Sequence, residues 1–227
     1  MNNENIKYRL KFEKIMRLKF IGHLDLLDIF QRTINRAGLP IAYSQGFNPH
    51  QLMSFALPLT LGFEGRGEYI DIELTEERDT SIIKESLNKS FPEGLLIISA
   101  RKLEKGEKSG ASLTEGALYD VIVPEDFKIT QKDIDGFLNL KEIKIMKKGK
   151  KKTVEEDIRP DIYEIKFFDE ERQRIQMLIS QGSMRNVKPE AVMTEICKFV
   201  GREFIFHKYK FIRLELLKRT DSGFAAL

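Results

Sequence analysis

Side chains able to bind or react with another molecule are concentrated at positions 43–51, which read YSQGFNPHQ. Gly46 and Pro49 oppose regular structure there, because glycine adopts positive φ angles and proline lacks a backbone N–H. The other positions offer hydroxyl, amide, imidazole and aromatic groups, a mixture typical of binding loops. The residues expected to bind a substrate or partner are Arg32, Arg36, Tyr43, Ser44, Gln45, Phe47, Asn48, His50 and Ser54.

Acid–base chemistry, if the chain performs any, would fall to His23, Tyr43 and His50. His23 stands just before an amphipathic helix, where an imidazole can bind an anion or exchange a proton. The alternative is that His23 only caps the helix or packs against it. Ser44 with either histidine would supply a nucleophile and a base. The surrounding SQG is not a nucleophile elbow, so the catalytic residues stay unassigned.

Metal chemistry has little support in the sequence. His23 and His50 would need Asp25 or Asp28 as a further ligand, and that spacing is common in helices without metals. One cysteine, Cys197, excludes an intramolecular disulfide, a cysteine-based zinc site and a three-cysteine iron–sulfur cluster held by this chain alone. Its apolar surroundings predict a buried residue. We expect no metal and no cofactor.

Two arginines on the first helix have competing interpretations. Arg32 and Arg36 are four residues apart beside the aromatic loop, an arrangement suited to gripping phosphate while a base stacks. Asp28, however, lies four residues before Arg32, so an intrahelical ion pair would explain that arginine without a ligand.

A second basic region covers positions 141–152, KEIKIMKKGKKK, with seven lysines and one glutamate. Such runs either form a solvated hairpin tip or neutralise nucleic-acid phosphates. Positions 182–189, GSMRNVKP, add an anion-friendly helix start. The glycines of GFEGRGE at 62–68 lack the setting of a phosphate-binding loop and predict a hairpin turn. The residues expected to contact phosphate are Lys147, Lys148, Lys150, Lys151, Lys152, Arg185 and Lys188.

Size and composition bound the class of protein. The chain has 227 residues and 26.4 kDa, 41% hydrophobic and 32% charged residues, and a formal net charge of +3. This is typical of a soluble globular protein of one large or two small domains, and we favour two. We expect no membrane span, because no run of about 18 apolar residues occurs. The N-terminus carries no visible targeting pattern, so cytoplasmic residence is expected.

Hydrophobic periodicity predicts the same order of elements twice. In the first half, a helix ends at Gly38 and presents Leu27, Phe30, Ile34 and Ala37 to the core. The expected strands are 8–15, 52–61, 68–74, 95–103, 118–123, 142–148, 162–168, 174–180 and 209–217. The other expected helices are 76–90, 130–140 and 188–200, the last with Pro189 at its first turn.

Strand–helix–strand–strand–helix–strand order defines a ferredoxin-like unit. We therefore predict an α+β fold of two tandem ferredoxin-like (βαββαβ) units with antiparallel sheets. The first unit would span 1–104 and the second 117–227, the latter with a lysine-rich hairpin. Residues 105–116, polar and without periodicity, would form a linker or an exposed loop.

The segment RLKFIGHLDLLDIFQRTINRAGLPIAYSQGFNPHQLMSFALPLTLGFEGRGEYIDIEL closely resembles the start of the bacterial radical-SAM-linked family. The specific matches are HLD, RAGLPxAYSQGFNPH and SFALPLxLG, and they cover about the first third of the chain. The matching residues include His23, Arg36, Ser54 and most of positions 43–50. In that family, the region similar to this chain occurs either as a separate protein or as a C-terminal extension of a radical SAM enzyme. The resemblance therefore implies that this chain is a partner of such an enzyme.

The leading hypothesis is a non-catalytic binding or adaptor module that presents RNA, tRNA or rRNA, to a radical SAM enzyme. Any radical step would belong to the partner, since a radical SAM cluster needs three thiolates and this chain has one cysteine. One alternative is a metal-independent endoribonuclease resembling the RAMP class, with His23, Tyr43 and His50 as acid–base residues. Another is a module that binds only proteins.

Overall fold

The computed structural model describes residues 4–148, 153–168 and 173–227. It shows an α+β protein whose sheet is mostly antiparallel. The strands are β1 Ile6–Lys14, β2 Met53–Phe55, β3 Glu64–Leu74, β4 Leu95–Lys102, β5 Gly116–Ile122, β6 Lys144–Lys148, β7 Thr153–Asp157, β8 Ile162–Phe168, β9 Arg174–Ser180, β10 Lys210–Thr220 and β11 Gly223–Ala226. The helices are α1 His23–Arg36, α2 Thr80–Ser90, α3 Gly110–Leu113, α4 Gln131–Leu138 and α5 Pro189–Phe199. None of the helices described is long and apolar enough to cross a membrane.

One continuous sheet joins the two halves of the chain. Its strand order is β4-β1-β3-β10-β5-β9-β8, with β2 paired to β3 and β11 to β10. The junction is parallel, since Ile212 lies opposite Glu64 and Arg213 opposite Gly65. On the side of β3 that faces away from β1, the first residues of the strand pair with β10 and the later residues pair with β2.

The core of the first half lies between one face of the sheet and the helices that cover it. Tyr8, Leu10 and Phe12 of β1 are buried in the core of the first half, together with Phe30 of α1. The core face of α1 differs from the predicted stripe: Leu26 is buried there, whereas Leu27 is half-buried. A periodicity of 3.6 residues leaves neighbouring positions equally plausible until the sheet fixes the orientation of the helix.

A buried ion pair lies where the halves meet. The Arg213 guanidinium donates from Nε to Glu68 Oε1 at 2.7 Å and from Nη2 to Glu68 Oε2. It also donates to the carbonyl oxygens of Leu57 and Pro58. Both side chains are nearly inaccessible to solvent. Burial by itself would lower the pKa of Arg213, but Glu68, with Tyr119, outweighs it and raises the pKa above its ordinary value. The pair therefore fastens β10 to β3 and to the segment that follows β2.

The prediction of a glycine turn at 62, 65 and 67 is correct only for Gly62. Gly65 and Gly67 lie inside β3, and a Cβ on Gly67 would come within 2.3 Å of the Leu214 carbonyl oxygen. Gly67 therefore permits the close approach of β10, a role that the local sequence does not reveal. The predicted strand 52–61 shortens to β2, because Leu57 and Leu59 leave the sheet to pack on the core of the second half.

Residues 104–115, within the segment predicted as a linker or an exposed loop, are mostly exposed and contact the first half at several points. Arg9, 2% exposed, binds Asp71 through two hydrogen bonds and donates to the carbonyl oxygen of Lys108. Asp71 also accepts the Gly110 N–H. The Arg101 guanidinium lowers the pKa of Glu107 to about 2, so this carboxylate stays charged near neutral pH and holds the segment to β4.

We expect Arg213→Met to lower the free energy of unfolding by about 3–5 kcal/mol, because it strands the Glu68 carboxylate in a buried site. Urea titration would measure this. The control Lys198→Met removes an exposed ion pair with Glu195 and should cost less than about 1 kcal/mol. Pairing Arg213→Met with Glu68→Leu should recover part of the loss. Equal effects of Arg213→Met and Lys198→Met would contradict this role.

Candidate binding edge

Strand directions bring most of the predicted site residues to one edge of the sheet. Because β3 and β10 are parallel, β1 and β5 also run in the same direction. The chain after α1, the chain after α4 and the chain after β9 therefore all emerge at the same ends of the strands. We call this the loop edge: it contains residues 40–52, residues 181–188 and the β6–β7 hairpin. From β3 to β8 it extends about 20 Å, at ~4.8 Å per strand.

The aromatic loop at 43–51 is closed by its own hydrogen bonds. The Ser44 N–H donates to the His50 carbonyl oxygen at 2.8 Å, and the His50 N–H donates to Ser44 Oγ at 3.0 Å. Ser44 Oγ also lies 2.8 Å from His50 Nδ1. Tyr43 pairs with Gln51 as a β-bridge. The loop therefore has a defined shape without belonging to a sheet.

Gln51 anchors this loop to α1. The side chain is 6% exposed and donates from Nε2 to Asn35 Oδ1 at 2.7 Å and to the Tyr43 hydroxyl at 3.3 Å. Its Oε1 is buried and has no hydrogen-bond partner in the part of the chain described here. Gln51 is not among the site residues predicted from the sequence, because nothing in the local pattern separates a buried glutamine from its exposed neighbours.

The tip of the loop points into solvent. Tyr43, Gln45, Asn48 and His50 are exposed, and Phe47 is fully exposed. The Phe47 ring buries no surface on folding, so it is accessible to another molecule. Gly46 adopts a φ of 118°, which a side chain would strain.

The two arginines of α1 differ in their contacts. Arg36 donates to Thr33 Oγ1 and to the Ser90 carbonyl oxygen, which joins the ends of α1 and α2. Arg32 is exposed, and among the ion pairs of the described residues none joins it to Asp28. The expected intrahelical pair is therefore not formed. Arg32 is the better placed of the two to meet a ligand.

Ser54 lies on β2, opposite Asp71, and is exposed. It borders a cavity of about 200 Å³ that is also lined by Leu52, Asp71, Glu107 and Ser109. The cavity therefore begins where the aromatic loop ends and continues beneath the 104–115 segment.

His23 does not join this group. It is the first residue of α1, not the residue before it, and its ring packs edge-on against Phe55 at 5.2 Å. Gln51 contacts Asn35, twelve residues later in α1, which places the loop about 18 Å along the helix from His23. His23, Tyr43 and His50 consequently do not form one acid–base site. No group of three or more His, Cys, Asp or Glu side chains suited to a metal occurs in the described ranges.

The lysine-rich segment forms a hairpin, β6 against β7, with Lys148 opposite Thr153. The acidic strand β7 was not predicted. It supplies Glu156 to Lys147 at 2.9 Å and Glu155 to Lys144 at 3.5 Å, so these two lysines are partly neutralised. Lys150, Lys151 and Lys152 lie outside the described residues, and the position of the Lys148 side chain is likewise not described.

Arg185 is less available to phosphate than the sequence suggests. It donates from Nε to Asp161 Oδ2 at 2.9 Å, from Nη2 to the same oxygen, and from Nη1 to Glu156 at 3.1 Å. These contacts tie residues 181–188 to the base of the hairpin. Lys188, by contrast, is exposed at the N-cap of α5.

The structure is that of an α+β protein with an exposed loop, braced by its own hydrogen bonds, at one edge of the sheet. The chain belongs to DUF2344, a family described as an uncharacterized protein conserved in bacteria, whose profile matches residues 7–189. Among curated proteins, none matches the sequence.

We expect Ser44→Ala to open the aromatic loop without unfolding the protein. The variant loses the bonds that Ser44 Oγ makes to the His50 ring and N–H, and each is worth about 1 kcal/mol. Hydrogen exchange at the His50 amide should accelerate about five-fold or more, while global stability falls by no more than about 2 kcal/mol. Gln45→Ala, at the exposed tip, is the control. Unchanged exchange at His50 would show that the loop is held by other contacts.

Proposed function

We propose that this protein is a non-catalytic adaptor that binds RNA at the loop edge and presents it to a radical SAM enzyme. The observation that carries the proposal is the fully exposed Phe47 at the tip of a loop braced by Ser44, His50 and Gln51. Single-stranded RNA is recognised by stacking its bases on aromatic side chains held in this way. A loop already in its binding shape loses little entropy when the ligand arrives.

Cations at the same edge support RNA as the ligand. Arg32 lies near the aromatic loop, and Lys188 and the lysine hairpin lie toward the other end of the edge. Aromatic stacking combined with basic groups along one track is the usual arrangement in proteins that bind single strands without reading sequence. In this proposal the other lysines of positions 141–152 contact phosphate, because Lys144 and Lys147 are already paired with glutamates of β7.

The radical SAM partner is inferred from the resemblance of residues 9–74 to proteins that accompany such enzymes. The cysteine count supports a separate enzyme as the carrier of the iron–sulfur cluster, because Cys197 is buried and cannot ligate a cluster alone. Cytoplasmic residence follows from this partnership. The ribonuclease alternative gains no support, since His23 lies far from Tyr43 and His50.

We further infer that each half is a ferredoxin-like unit. The first half has the strand order β4-β1-β3-β2 and the second has β10-β5-β9-β8. Counted from the start of each half, both orders are 4-1-3-2, with two helices on the covered face. In this interpretation the aromatic loop and the lysine hairpin occupy the same connection in their respective units, between the first helix and the second strand.

Phe47→Ala should weaken binding of a labelled decamer of single-stranded RNA by about ten-fold or more, because stacking one base is worth about 1–3 kcal/mol. Fluorescence anisotropy would measure the dissociation constant. Phe20→Ala is a matched control, since Phe20 is 67% exposed and lies before α1, away from the loop edge. Equal losses in both variants, or none, would argue against the proposal.

Replacing Lys148, Lys150, Lys151 and Lys152 with glutamine should flatten the salt dependence of RNA binding. Each lost phosphate contact lowers the slope of log K against log salt by about 0.7 for single strands. Binding measured from low to moderate salt would give the slope for both proteins. An unchanged slope would leave the hairpin as a solvated structural element.

Absence of any RNA binding, with capture of a protein partner through Phe47, would instead favour the protein-interaction module.

A further inference from the structure

A second cavity of the loop edge, of about 360 Å³, lies between the start of β8 and the loop after β9. Its lining includes Asp161, Tyr163, Ser180, Met184 and Arg185. None of these contributes to the aromatic loop, and only Arg185 was singled out by the sequence. We propose that this cavity is a pocket for one nucleobase that carries an exocyclic amino group. The proposal rests on the proposed RNA-binding function and deepens it by assigning a base-recognition site.

The hydrogen-bonding groups of the cavity suit a base edge. Both bonds from Arg185 to the Asp161 carboxylate use Oδ2, and Oδ1 accepts no hydrogen bond from any part of the chain that the structure describes. Asp161 is nevertheless 6% exposed. Oδ1 is not one of the buried side-chain atoms that lack a partner, so it faces the cavity as a free acceptor, and an amino group of adenine, guanine or cytosine would donate to it. Within the described residues, the Ser180 hydroxyl donates weakly to the Arg185 carbonyl oxygen, at 3.5 Å, and its oxygen can still accept a hydrogen bond.

An aromatic wall supplies the stacking surface. Tyr163 is partly exposed, and its ring lies 4.9 Å from that of Phe224. The Arg219 guanidinium lies over both rings, at 5.3 Å from Tyr163 and 4.7 Å from Phe224. The Met184 side chain, at the rim, is 92% exposed. A planar base between a tyrosine ring and a flexible thioether is a favourable arrangement.

The loop that carries these groups is braced like the aromatic loop. Gln181, which is buried, donates from Nε2 to the Val187 carbonyl oxygen at 2.6 Å and to Asn186 Oδ1 at 2.9 Å. Its Oε1 accepts the hydroxyl of Tyr119 at 3.1 Å. A buried glutamine therefore fixes each of the two loops, and both are organised before a ligand arrives.

The two cavities are neighbours along one track. Helix α3 separates them: Ser109, its N-cap, borders the cavity next to Ser54, while Ser112 and Thr114 border the cavity next to Arg185. A strand of RNA stacked on Phe47 would follow the loop edge over α3 toward the second cavity and the hairpin. One base of that strand would enter the pocket.

Titration of ¹⁵N-labelled protein with AMP, GMP, CMP or UMP tests the pocket directly. We expect the amide signals of residues 180–186 to shift with the three nucleotides that carry an amino group, and UMP to bind at least five-fold more weakly. Tyr163→Leu should weaken the nucleotide binding at least five-fold. Phe20→Leu, an equivalent loss of an exposed ring outside the loop edge, should leave the binding unchanged.

The outcomes separate this inference from the proposed function. Shifts absent from residues 180–186 in the wild-type protein, together with RNA binding that depends on Phe47, would overturn the pocket and leave the adaptor role standing. Nucleotide binding at 180–186 without any RNA binding would overturn the RNA role and retain a nucleotide pocket. Equal binding of UMP and AMP would refute the assignment of Asp161 to an amino group.

Discussion

The Arg213–Glu68 ion pair is the contact on which the arrangement of the whole chain depends. It is buried, it carries two hydrogen bonds between opposite charges, and it joins a strand of the second half to a strand of the first. A buried charge can be tolerated only with its partner in place, so the pair permits one relative position of β3 and β10. Gly67 completes the constraint, because its missing side chain lets the two backbones approach.

The parallel orientation of β3 and β10 has a direct consequence for function. It aligns the strands of both halves, so the connections after α1, α4 and β9 all emerge at the loop edge. An antiparallel junction would have placed the aromatic loop and the lysine hairpin at opposite ends. Tyr119 links the junction to this edge: it lies opposite Arg213 in the register of β5 and β10, and its hydroxyl binds Gln181. Burial raises the pKa of Tyr119 to about 12, so the hydroxyl remains a donor at physiological pH.

The geometry of the loop edge is consistent with the proposed binding surface. Its histidine, His50, is used to close the loop with Ser44, and His23 lies at the far end of α1. The exposed groups include a phenylalanine, a tyrosine, a histidine, amides and cations, which can stack on a base, form hydrogen bonds and attract phosphate. The proposed adaptor role requires a surface of this kind and no reactive group on it.

The sequence by itself determined most elements and the location of the aromatic loop, because periodicity, caps and breakers are local properties. Strands 162–168 and 174–180, the start of α5 at Pro189 and the end of α1 before Gly38 all follow from such signals. Only the tertiary structure decided that Gly67 lies within a strand, that residues 104–115 cover Arg9, that Arg185 is held by Asp161, and that His23 is remote from His50. Each of these depends on contacts between residues far apart in the chain, and local pattern carries no information about which distant residue will become a neighbour.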